Sequence, residues 1–204
     1  MQSIEIQVLN RIYGGGRGWA FSQKDFASIG DRNSIDKALS LLRKKEKIRR
    51  VIRGIYDYPK YSEKLKMDLS PDVDQVAQAI ARRHGWRIQP TGPAALNIVG
   101  LSTQVPSKFT YLTDSANNKY IVGNTILLFK KEPLKEIAFK YHESSIIVQT
   151  IKSLRANNIT PTVIDTLAKW LGDNMPSKIL KDTKTVSSWI YDIILKICKE
   201  LSNG

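Results

Sequence analysis

Between Asn33 and Pro59 the chain reads NSIDKALSLLRKKEKIRRVIRGIYDYP, and the period of its apolar positions changes part-way. Ile35, Ala38, Leu39 and Leu42 recur at offsets of three, four and seven, the stripe of an amphipathic helix with one face on a core. Asn33, Asp36, Lys37, Ser40, Arg43, Lys44 and Lys47 fall on its other face. From Ile48 the pattern shortens: Ile48 to Arg53, then Gly54, then Ile55 and Tyr56 predict two short strands joined by a tight turn.

Upstream, Ile4, Val8 and Ile12 with Leu9 predict a first helix from Ser3 to Tyr13, stopped by Gly14, Gly15 and Gly16. Trp19 to Phe21 predicts a strand. Ser22 is placed to cap a short helix over Gln23 to Ser28, with Asp25 at the capping-box position, and Gly30 ends it. Asp31 to Ser34 form the turn into the next helix, with Asn33 or Ser34 as its cap. Helix, strand, helix, turn, helix, strand, strand is the order of a winged helix-turn-helix, assigned to residues 1–61. Tyr56, Tyr58 and Tyr61 close the wing; core packing is expected of Tyr56. Residues 62–69 are polar, lack a strong period, and read as a linker.

A second domain is expected over residues 70–204. Ser70 as cap, Pro71, Asp72 and Asp74 start a helix carrying Val73, Val76, Ala77 and Ile80, which Gly85 stops; His84 in its last turn suits the helix dipole. Trp86 to Gln89 reads as extended and Ala94 to Val99 as a short helix. Phe109 to Thr113, Lys119 to Val122 and Thr125 to Lys130 predict an antiparallel meander; the run Leu127, Leu128, Phe129 suggests a strand covered on both faces. The last third is helical over Ser145 to Ala156, from Pro161 through Leu171, and over Val186 to Leu201. Trp189 and its aliphatic neighbours either pack in the core or face a partner. The fold class is therefore α+β: a winged helix followed by a mixed domain with a small antiparallel sheet and a helical C-terminal third.

Charge sharpens this picture. Of the net +13 on 204 residues, residues 1–60 hold +7, with 13 Lys/Arg against 6 Asp/Glu. A basic N-terminal module points to nucleic acid, and less to an anionic membrane surface. Length and 42% apolar residues suffice for two ordinary cores. A lone Cys198 forbids an intrachain disulfide and, lying among Ile193, Ile194, Ile197 and Leu201, reads as a buried small hydrophobe. With no apolar run near the ~18 residues of a membrane span and no signal-peptide pattern, a cytoplasmic protein without membrane association is expected.

The major groove is about 12 Å wide and admits one helix, while a neighbouring hairpin lies along a phosphate strand. The residues assigned to DNA are Asn33, Lys37, Ser40, Arg43, Lys44 and Lys47 on the helix, and Arg49, Arg50 and Arg53 on the wing. Asn33, Lys37, Ser40 and Arg43 are the candidates for base edges, and the arginines of the wing for phosphates. The competing reading of the basic run is a solvated last turn that complements the helix dipole; the complete element order upstream favours DNA.

Catalytic patterns are missing from the sequence. There is no Gly-x-Ser-x-Gly, His-Glu-x-x-His or Walker motif, and Gly14 to Gly18 lack a following Gly-Lys-Ser/Thr. His84 and His142 have no neighbouring residues at catalytic or zinc spacing, and Asp72 and Asp74 read as helix-start residues rather than metal ligands. A binding protein is expected, without catalytic residues, metal or cofactor.

Phe26 to Pro59, with its Lys-Ala-Leu-Ser-Leu-Leu helix and Arg-Arg-Val-Ile-Arg-Gly-Ile-Tyr wing, resembles the winged helix of AbiEi-type antitoxins from bacterial type IV toxin–antitoxin (abortive infection) systems. Pro93 to Pro106, PAALNIVGLSTQVP, resembles the second-domain signature of that wider group. The resemblance spans residues 20 to about 130 and is more specific in the second stretch. It implies a transcriptional autorepressor bound to double-stranded operator DNA of its own operon, opposing a nucleotidyltransferase-like toxin without requiring a stable complex. It brings no catalytic residues. A stand-alone winged-helix regulator, whose second domain binds a small molecule or a protein, stays open beside it, as does a nucleic-acid enzyme.

Overall fold

The computed structural model describes residues 2–102, 107–132, 139–172 and 176–203. It is an α+β chain in two compact units, one of residues 1–87 with 119–127 and one of residues 88–118 with 128–204.

In the first unit, Ser3 Oγ accepts from Ile6 N at 3.3 Å and opens helix α1, Ile4–Gly15. The helix runs through Gly14 and Gly15 and stops only at Gly16, whose φ of +78° leaves the helical region. Gly15 is needed for space: a side chain there would collide with the Trp19 indole. Strand β1, Ala20–Ser22, leads into Gln23–Phe26, which form a 3₁₀ turn instead of the expected helix to Ser28. Its capping box is present, with Ser22 N donating to Asp25 Oδ2 at 2.8 Å and Lys24 N donating to Ser22 Oγ at 3.2 Å.

Helix α2, Arg32–Lys44, begins earlier than its apolar stripe suggests. Asp31, not Asn33 or Ser34, is the cap: its Oδ1 accepts from Asn33 N at 2.9 Å and Ser34 N at 3.1 Å. Strands β2, Arg49–Ile52, and β3, Ile55–Asp57, form the hairpin, and β3 lies between β1 and β2 in an antiparallel three-stranded sheet. Val8, Ile12, Phe21, Phe26, Ile35, Ala38, Leu39, Leu42 and Ile48 make the core. Phe21 meets Phe26 edge-on at 5.4 Å and stacks on Tyr56, which packs as expected.

Residues 62–69 are not a featureless linker. Strands β4, Tyr61–Ser62, and β5, Met67–Asp68, pair in a small hairpin closed by Leu69 N donating to Lys60 O at 2.7 Å. Helix α3, Val73–His84, is capped by Asp72 rather than Ser70 and ends at left-handed Gly85. It packs on β1 and the 3₁₀ turn, so α3 belongs to the first unit, which the chain leaves first after residue 87 and not in 62–69.

After α3 come β6, Ile88–Pro90, helix α4, Gly92–Ile98, β7, Lys108–Thr113, and the strands β8, Asn118–Val122, and β9, Thr125–Lys131, of which residues 119–127 belong to the first unit. The sheet order β6-β7-β9-β8 replaces the expected meander, because β9 comes between β7 and β8. In β9 Leu127 and Phe129 are buried and Leu128 is half-buried, an alternation that shows one well-covered face rather than two. Helices α5, His142–Leu154, α6, Pro161–Leu171, α7, Pro176–Asp182, and α8, Ser188–Asn203, follow; α7 was not predicted. Ile146, Ile147, Ile151, Leu167, Ile179, Ile190, Ile194 and Ile197 form the centre of a core that also buries Cys198. Trp189 remains 38% exposed. Thr103, Gln104, Val105 and Pro106 of the second-domain signature lie outside the described residues.

Candidate nucleic-acid interface

Helix α2 divides cleanly by side. Ile35, Ala38, Leu39 and Leu42 are buried, while Asn33, Lys37, Ser40, Arg43 and Lys44 are exposed, with Lys47 beyond the helix end also exposed. Asn33, Lys37, Ser40 and Lys44 stand at i, i+4, i+7 and i+11 and so share one line along the surface. Among the described residues, Lys37, Arg43, Lys44, Lys47, Arg50 and Arg53 have no acidic partner. Lys45, by contrast, is paired with Glu5 of α1 and anchors the helix end.

The hairpin arginines separate into two kinds. Arg50 and Arg53 are exposed. Arg49 is engaged: Nε donates to Asp57 Oδ1 at 3.0 Å, Nη2 to Asp57 Oδ2 at 2.6 Å, and Nη1 to Leu69 O at 3.0 Å. The bidentate pair bridges β2 to β3, and burial pushes the Asp57 carboxyl above its usual range despite the guanidinium. Arg49 is held by these three bonds, whereas its two neighbours keep their donors for other partners.

Four residues that pattern reasoning left out adjoin these elements. Arg32 opens α2, because Asp31 is its cap, and makes an exposed pair with Asp36 at 3.7 Å. Leu41 is 44% exposed beside the basic line, an apolar side chain outside the core stripe. Lys24, on the 3₁₀ turn, and Arg83, near the end of α3, bring further positive charge. His84 stands in the last turn of α3 as expected; burial, then the charges of Arg83 and Lys24, push its imidazole below the ordinary range. Its ring stacks on Trp86 at 4.7 Å. Among the described residues, no group of three or more His, Cys, Asp or Glu is placed to hold a metal ion.

A family described as "Family of unknown function (DUF6088)" matches residues 7–179. The chain belongs to the DUF6088 family. That match takes in α1 through most of α7, so the family spans residues of both units. No curated protein matches the chain. The crystal structure of the RV2827C protein from Mycobacterium tuberculosis is similar over 98% of this chain and 77% of that chain, with 10% identity and a TM-score of 0.40.

Within this DUF6088 chain the second unit carries a separate polar cleft of about 360 Å³, lined by Lys140, Tyr141, Lys178, Lys181 and Asp182. Asp182 accepts from Lys140 N and Tyr141 N, each at 3.0 Å, joining α7 to the start of α5. The ammonium groups of Lys140 and Lys178 lie 5.4 and 6.0 Å from the Tyr141 ring centre. Among the described residues, no helix is long and apolar enough to cross a membrane.

Proposed function

We propose that the first unit is a winged helix-turn-helix that binds double-stranded DNA, with α2 in the major groove and the β2–β3 hairpin as its wing. The observation that carries this reading is the exposed line of Asn33, Lys37, Ser40 and Lys44 with Arg43 beside it, backed by a buried apolar stripe and flanked by unpaired Arg50 and Arg53. Cations without acidic partners release counterions from a polyanion, and a helix held rigidly on its apolar face presents its polar face to base edges. With the resemblance of Phe26 to Pro59 and Pro93 to Pro106 to AbiEi-type antitoxins, the reading extends further. The protein is a cytoplasmic autorepressor of its own operon and the antitoxin of a type IV toxin–antitoxin (abortive infection) system, opposing a nucleotidyltransferase-like toxin without catalysis of its own.

The test is a salt titration of the full chain against a labelled duplex from its own upstream region, with a scrambled duplex beside it. Tighter binding to the upstream duplex that weakens steeply with salt is the expected result; equal binding to both leaves only a basic surface. Co-expression with the neighbouring gene tests the antitoxin role: growth arrest by that gene alone, relieved by this chain, is expected.

A second reading has its own support. The basic cleft around Tyr141 favours a stand-alone regulator whose second domain binds a small anionic ligand. A duplex affinity that changes with added anionic metabolites, in a chain that relieves no toxicity, would select it.

A further inference from the structure

Arg82 and Arg83 are neighbours in the last turn of α3, and their guanidiniums have different surroundings. Arg82 Nε donates to Asp25 Oδ1 at 2.7 Å and Nη2 to Ala20 O at 2.8 Å, so its charge is neutralised and the helix is tied to β1. Arg83 Nη1 donates to Arg53 O at 2.9 Å, in the turn of the β2–β3 hairpin. Among the described residues Arg83 has no carboxylate partner. One backbone carbonyl occupies one of five donors and leaves the charge whole. The guanidinium also fills the space that a side chain at residue 54 would need.

Other cations gather there from separate elements. Arg53 supplies an exposed side chain from the turn, and Lys24 an exposed one from the 3₁₀ turn. Ser22 stands opposite Ile55 in the β1–β3 register and Asp25 bonds Arg82, so Lys24, between Ser22 and Asp25 in sequence, lies where the hairpin turn meets the end of α3. A helix C-terminus favours cations and by itself explains basic residues on α3. It does not explain Lys24 and Arg53, which belong to other elements. Like charges brought together repel, and a bound polyanion offsets that cost.

We infer that the end of α3 extends the nucleic-acid interface, with Arg83, Lys24 and Arg53 forming a phosphodiester-binding cluster at the hairpin tip and Arg83 also positioning the turn. The inference rests on the winged-helix reading above. The cluster contacts backbone outside the base pairs read by α2, so it adds affinity without adding sequence preference.

The experiment compares wild type, K24Q, R83Q, the K24Q/R83Q double variant and K37A, as full chains, on upstream and scrambled duplexes across a salt series. Each lost phosphate contact lowers the slope of log affinity on log salt by about 0.9, so the double variant loses nearly 2 and keeps its preference between duplexes. Because the slope is also read on scrambled DNA, the result does not depend on having found the operator. Lys24 is exposed, so K24Q keeps the fold and decides the matter even where R83Q unfolds. An unchanged slope in K24Q and in a folded R83Q, with K37A still losing preference for the upstream duplex, overturns the cluster and leaves the winged helix standing. Wild type that binds neither duplex overturns both.

Discussion

Arg49 of β2 and Asp57 of β3 stand directly opposite in the hairpin register and share a bidentate ion pair, with the Asp57 side chain 2% exposed and that of Arg49 32% exposed. The pair locks the two strands and, through Arg49 Nη1 to Leu69 O, holds the end of the β4–β5 segment against them. A buried carboxylate needs its counter-charge more than the half-exposed guanidinium does.

Arg49→Met should therefore cost about 3 kcal/mol at neutral pH, by leaving Asp57 buried and unpaired. The folded-state pKa of Asp57 is already raised by burial and rises further without Arg49. A raised pKa means that the folded state takes up a proton more readily than the unfolded chain, so the cost fades as pH falls through that folded value. Urea unfolding of wild type and variant at neutral and mildly acidic pH measures this; an equal gap at both would show that Asp57 carries no such strain. DNA affinity of the folded variant should keep its salt slope, because Arg49 contacts protein.

Asp31 works in the opposite direction. Bonds from the Ser34 hydroxyl and amide, and from the Asn33 amide, hold its carboxyl below the usual range. Asp31→Ala should lower the melting temperature and Asp31→Ser largely restore it, since both Asp and Ser cap well. A depressed folded-state pKa makes this contribution present above the ordinary aspartate range and lost as pH falls through the folded value. Thermal melts across pH should show the wild-type advantage over Asp31→Ala narrowing in acid; an advantage constant with pH would exclude the charged cap.

These residues also mark what the sequence discloses. The apolar stripe of α2 is legible because period 3.6 is local and strong, but three capping residues precede Ile35, and periodicity alone does not choose among Asp31, Asn33 and Ser34. Arg49 reads like Arg50 until the pairing register sets it opposite Asp57, and a bulge between Arg50 and Ile52 hides that register. The β4–β5 hairpin has no apolar alternation to announce it. Helix α7 buries only Ile179, too little for a stripe. The position of β9 between β7 and β8 depends on pairing between distant segments, which no local pattern encodes. The exposed basic line is therefore readable from α2 itself, whereas Arg83 reaches the hairpin turn only through folding.

Gly54 carries φ +79° at the hairpin turn, where a side chain would meet Arg83. Gly54→Ala should cost about 1 to 2 kcal/mol for the left-handed backbone alone, with the collision added. Combining it with Arg83→Ala removes the collision and not the backbone cost, so the double variant should be more stable than the sum of the single losses predicts. Strict additivity in urea unfolding would mean that the guanidinium simply moves aside.

Lys37 and Arg43 project from the exposed part of α2, whereas Arg50 and Arg53 project from the hairpin, and the two pairs should fail differently. A side chain that reads a base edge loses discrimination when truncated, so Lys37→Ala or Arg43→Ala should weaken the upstream duplex by about 1 to 3 kcal/mol and the scrambled duplex much less. On the proposed reading Arg50 and Arg53 contact phosphates, so Arg50→Ala and Arg53→Ala should weaken both duplexes together and lower the salt slope by about 1 each. Fluorescence anisotropy at several salt concentrations separates the two behaviours. If all four variants weaken both duplexes equally, α2 is a phosphate-binding surface and sequence is read elsewhere. If the helix variants change neither, its basic line is a solvated face, and the hairpin together with the end of α3 becomes the place to look for nucleic acid.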